Sequence, residues 1–148
     1  MTNANLPKGL ISHVEAKELN QKFIKTRSKD LNRIVKKESG NPKKEDAISS
    51  WFSLEELENY ITYVKEEGTK KGITVNGLRV YFGAYSNNVK RQDKKDLSTV
   101  FFAPTMAKPA TLQKSSSLEV EGSSDIESID ALNGGTFGDP PSKEYPAT

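Results

Sequence analysis

"GLRVYFGAY", residues 77–85, is the densest apolar run in the chain, and its period decides the fold. Alternation of two is the strand period. It places Leu78, Val80 and Phe82 on one face as candidate core, and Arg79 and Tyr81 on the other, with Gly83 beside them. An arginine next to a tyrosine is either a binding platform or a second packed layer. Gly83 then permits a close approach or marks a bulge.

Working outward, the polar stretch 86–97 reads as an exposed loop, and "STVFFAPT", 98–105, as a second strand closed by Pro104. Two strands joined by a polar loop predict an antiparallel hairpin over 73–85 and 98–104. A lone hairpin is unstable in water, so helices must cover one of its faces. Upstream, Ser53 and Glu56 have capping-box spacing, and Glu55, Glu56 and Glu58 load the first turn. Leu54, Leu57, Ile61 and Val64 follow on one face, with Gly68 as the expected C-terminal cap. Trp51 and Phe52 precede the cap, as a staple or the end of a short strand. Nearer the N-terminus, Ser12 and Glu15 predict another helix start. Ala16, Leu19, Phe23, Leu31 and Ile34 recur at helical spacing as far as about Lys37. A cap at Ser28 would divide that helix in two.

The expected fold class is α+β: two main helices packed on a small antiparallel sheet. Residues 1–9 read as a flexible start, 10–106 as the domain and 107–148 as an acidic tail rich in Ser, Gly and Pro. The tail has too little apolar content to offset chain entropy alone, so disorder or extension is expected. Within it Ile126, Ile129 and Leu132 lie three apart, a spacing that could dock on the domain or on a partner.

The apolar share is 34%, low for a packed chain of 148 residues. With no cysteine, disulfides, thiolate metal sites and cysteine nucleophiles are excluded. Apolar runs fall short of the roughly 20 residues of a membrane span, and the start lacks the pattern of a secretory signal. The expectation is a soluble, cytoplasmic protein with no membrane partner. Charge is uneven: 11 Lys/Arg against 6 Asp/Glu over residues 1–50, 8 against 7 over 51–105, and 3 against 7 over 106–148. The front is basic and the tail acidic.

Ala16, Leu19 and Phe23, with Gly77, Arg79 and Tyr81, form an Ala-x-x-Leu-x-x-x-Phe helix and a Gly-x-Arg-x-Tyr strand. In these motifs the chain resembles a group of small uncharacterised bacterial proteins, over about two thirds of its length. The resemblance implies no activity.

His13 is the single histidine, so neither a catalytic triad nor a histidine-rich metal site can be assembled within one chain. No catalytic, cofactor or metal residues are assigned. Arg27 falls between Phe23 and Leu31 on the apolar face, where it would snorkel or pair with Asp30. Lys22, Lys25, Lys29, Arg33 and Lys36, spaced 3, 4, 4 and 3, would form a one-sign stripe on a continuous helix. Such a stripe suits an anionic partner, and a break near Ser28 would split it. On the sheet, Arg79, Tyr81 and Phe101 form the second candidate surface. The expected function is a non-enzymatic binding or adaptor protein, monomeric or dimeric, that recognises a protein or an anionic partner. Its own acidic tail would modulate it. One alternative is single-stranded nucleic-acid binding through these residues; a further one is an enzyme with a pocket at Arg79 and Tyr81. A hairpin also leaves free strand edges, through which two copies could pair.

Overall fold

A computed structural model describes residues 5–108 and 123–148. It is an α+β fold with a three-stranded antiparallel sheet. The chain groups into two compact units, and the span 10–106 contributes to both.

The first unit draws on Met1–Ser49, Ser86–Leu97 and Phe137–Thr148. Its helix runs as α1 (His13–Phe23), a π turn (Ile24–Ser28) and α2 (Lys29–Ser39), and ends at Gly40 with φ +68°. The Ser12/Glu15 capping box is complete, each side chain bonded to the other's backbone N–H. Within the π turn the Thr26 hydroxyl donates to the Lys22 carbonyl at 2.5 Å, a side-chain insertion of the kind that accompanies ladder distortions. The wider turn adds a residue, so α2 lags α1 by about one residue, roughly 100°. This rotation changes which residues face inward. Arg27, expected on the apolar face, is exposed and bonded to Thr26, while Asp30 pairs with Arg33 instead. Leu19, expected in the core, is 66% exposed, and α1 buries no residue.

This unit's core is Val35, Ala47 and Leu97, with Phe137 packed against it. Leu97 is 1% exposed, so the end of the segment expected as an exposed loop is core. Polar side chains tie the segments: Asn32 accepts from the Asp46 N–H, Lys44 donates to the Lys95 carbonyl, and Asn20 accepts from the Tyr145 N–H.

The second unit comprises Ser50–Tyr85 and Ser98–Thr136. It holds α3 (Leu54–Lys71), β1 (Val75–Ala84), β2 (Ser98–Ala107) and β3 (Ser123–Asp125), in sheet order β1-β2-β3. At Trp51 and Phe52, expected as a staple or the end of a short strand, there is a single antiparallel bridge, Trp51 to Thr136. Ser53 caps α3 through the Glu56 N–H. The helix does not end at Gly68. It continues to Lys71 and closes on Gly72, at φ +68°. Gly68 is a packing glycine: a Cβ there would lie 2.7 Å from the Ile73 carbonyl oxygen and 2.9 Å from Val75 Cγ2. Gly68→Ala is therefore expected to destabilise this unit by about 1–2 kcal/mol. Overpacking outweighs the gain in helix propensity, and urea unfolding of the variant checks it.

β1 pairs with β2 antiparallel, Tyr81 opposite Phe101 and Val80 opposite Phe102, with a bulge at Asn76. β2 does not close at Pro104 but runs on to Ala107. Phe102 exchanges both backbone bonds with Leu132, and the Pro104 carbonyl accepts from Ile126. Residues 102 and 104 therefore turn their backbone groups away from β1. A proline with its nitrogen on that side costs the β1–β2 ladder nothing.

The core cluster is Tyr60, Val64, Ile126 and Ile129, with Leu78, Phe102 and Met106 packed on it. The buried face of α3 is thus Tyr60, Val64 and Gly68, while Leu54 and Ile61 are exposed. Tyr60 donates to the Asp130 carbonyl at 2.8 Å, and burial, Tyr63 and Asp130 push its pKa up to about 12. Half of this cluster comes from the stretch expected as a disordered tail. Ile126, Ile129 and Leu132 pack into the second unit, while residues 137–148 belong to the first, where Phe137 packs on the core. The rest of that tail, 109–122, lies outside the described residues.

Candidate interaction surfaces

Each unit carries one of the two expected surfaces. On the sheet, the register brings Arg79, Tyr81 and Phe101 to one face. Tyr81 stacks on Phe101 with ring centroids 5.2 Å apart and planes 17° apart. β3 places Asp125 beside them. Arg79 pairs with the Asp125 carboxylate at 2.5 Å, and the Tyr81 hydroxyl donates to the same carboxylate. That hydrogen bond, with desolvation, raises the Tyr81 pKa above its ordinary value. A charge-assisted network of this kind is among the stronger side-chain interactions. Here it joins β3 to the hairpin. The arginine is occupied by an internal acid, and a carboxylate amid the aromatic pair opposes an incoming phosphate. Asp125 itself was not singled out from sequence. Its signal is its position just before Ile126 and Ile129, the doublet that docks.

On the helix, Lys22, Lys25, Lys29 and Arg33 are exposed and Lys36 half-buried. The π turn, which contains Lys25, lies between Lys22 and the other three, so the five do not sit on one uninterrupted α-helix. Arg33 is also paired with Asp30 at 3.0 Å. Elsewhere in this unit a cleft of about 380 Å³ carries Lys43, Lys44, Glu45 and Asp93 on its walls. Both signs of charge line it, so it has no single-sign field. Among the described residues no group of three His, Cys, Asp or Glu is arranged to hold a metal ion, and no helix is long and apolar enough to cross a membrane.

A third surface lies on the face expected as core. Along β1, exposure rises from half-buried Leu78 to Val80 at 48% and Phe82 at 90%. The core cluster takes in Leu78 and leaves the far end of the face open. Trp51, Leu54 and Ile61 are exposed in the same unit. Scattered single apolar residues are ordinary on protein surfaces; two successive core-face positions left open on one strand are informative. The backbone is open there too. Because 102 and 104 turn away from β1, Arg79 and Tyr81 face β2, and Leu78, Val80 and Phe82 present their N–H and C=O groups to the outer edge. Among the described residues no strand pairs with that edge.

No family model, no curated protein and no solved structure matches this chain.

Proposed function

We propose that the chain is a non-enzymatic protein-binding module and that the open end of β1 is its contact surface. The observation that carries this is Phe82, 90% exposed at the end of a face whose other end is core. A buried aromatic anchor is the commonest centre of a protein interface, and Phe82 with Val80 offers one ready to be covered. The outward backbone groups add a means of strand addition, in which main-chain bonds give affinity and alternate side chains give specificity. The cysteine-free composition fits a reducing, cytoplasmic setting.

Phe82→Lys tests it. The side chain is already in water, so the fold is expected to survive, with an unchanged unfolding midpoint. Proteins retained by immobilised wild type, its own chain included, are expected to be lost by the variant at least about tenfold. An identical retained set from both chains would contradict the proposal.

A further inference from the structure

We infer that the occupant of this surface is a second copy of the chain, through antiparallel pairing of β1 with β1 about Val80. This rests on the binding role proposed for that edge. The sequence of the strand is the first observation. With Val80 at the centre, Gly77 mirrors Gly83 and apolar Leu78 mirrors apolar Phe82, while Arg79 falls opposite Tyr81. In a two-fold contact each residue meets its mirror position on the other copy, so here apolar positions meet apolar positions.

The backbone is the second. Leu78, Val80 and Phe82 direct their N–H and C=O groups outward. With Val80 opposite the second copy's Val80, these groups fall into register and bond in reciprocal pairs. Leu78 of each copy then lies beside the second copy's Phe82. The exposed ring extends the cluster that already holds Leu78. On the other face Arg79 comes opposite the second copy's Tyr81, and each keeps Asp125 of its own copy as its partner.

Neighbouring registers are worse. A slip of one residue in the pairing puts Leu78, Val80 and Phe82 opposite the Arg79/Tyr81 face. A centre at Arg79 sets two guanidiniums against each other. Among the described residues the edge also lacks protection. From Gly77 to Tyr85 there is no lysine and no proline, the usual guards of a free strand edge, and the bulge at Asn76 lies beyond one end.

Sedimentation velocity of the full chain, from about 1 to 200 μM, tests this. Wild type is expected to pass from monomer to dimer within that range. Phe82→Lys is expected to weaken association at least about tenfold, since the change enters the contact twice, while Phe82→Leu keeps the dimer. A wild type that stays monomeric throughout, or a dimer indifferent to Phe82→Lys, overturns the inference. If wild type is monomeric yet holds a different protein in a Phe82-dependent way, self-pairing falls and the binding role stands. If neither occurs, both fall.

Discussion

A chain ended after residue 122 is expected to lose the cooperative unfolding of the second unit altogether. Among the described residues, Ile126 and Ile129 are two of the four buried members of its core, and burying each is worth about 1.5–3 kcal/mol. The same cut removes β3, the Asp130 carbonyl that takes the Tyr60 hydroxyl, and the backbone pairs Phe102–Leu132 and Trp51–Thr136. The Tyr60 hydroxyl keeps only the longer bond to the Phe102 carbonyl, at 3.3 Å, and losing the shorter one adds about 0.5–1.5 kcal/mol. These losses together approach the whole stability of a small domain, about 5–15 kcal/mol. The cut also takes Phe137 from the core of the first unit. Near-ultraviolet dichroism of Trp51 and the tyrosines during urea unfolding reads the outcome. The expected trace has no transition for the cut chain. Ile129→Ala, at a site 3% exposed, is expected to lie between, at about 2–5 kcal/mol. A cut chain with the wild-type midpoint would contradict this packing. For the same reason, deleting 107–148 cannot isolate the effect of an acidic tail, because it dismantles the fold.

Asp125→Ala is expected to cost about 1.5–3 kcal/mol, the range for hydrogen bonds to a charged group. Arg79 and Asp125 are both about a third exposed or less, so the low half of that range applies. Arg79→Leu alone is expected to cost a similar amount. Changing both is expected to cost less than the sum, because each single change leaves the other charge without its partner. A coupling of about 1 kcal/mol or more in this cycle identifies the network as the latch between β3 and the hairpin. If both single changes are neutral in urea unfolding, Arg79 and Asp125 do not hold the sheet together, and the latch is wrong.

The fold class was legible because strand and helix periods are local. Residues 77–85 alternate, and the Ser12 and Ser53 caps sit where their spacing predicts. What was not legible depends on partners distant in sequence. The exposure of Phe82 depends on how far the core cluster covers the β1 face, and alternation alone cannot tell a covered position from an open one. Gly68 has the composition of a helix end. Its role comes from Ile73 and Val75 folding back against it, a contact no helical pattern contains. The π turn at Ile24–Ser28 left no break in the apolar pattern, yet it shifts α2 relative to α1 and interrupts the helix that carries the basic residues. The tail misled by composition. Its Ser, Gly and Pro content is that of an unfolded segment, but Ile126 and Ile129 complete the second unit's core and Leu132 packs against it. Asp125 escaped notice with it, and so did the charge that Arg79 and Tyr81 answer to.

The claim that the outer edge of β1 is an open contact surface is tested most directly by amide hydrogen exchange, residue by residue, along that strand. At high dilution Arg79 and Tyr81, bonded to β2, are expected to be protected. Leu78, Val80 and Phe82, facing outward, are expected to exchange rapidly. At high concentration these three are expected to become protected as the second copy pairs with them. Slow exchange of all five at every dilution would show that the chain itself covers this edge, and rapid exchange of the three at every concentration would show that no second copy does.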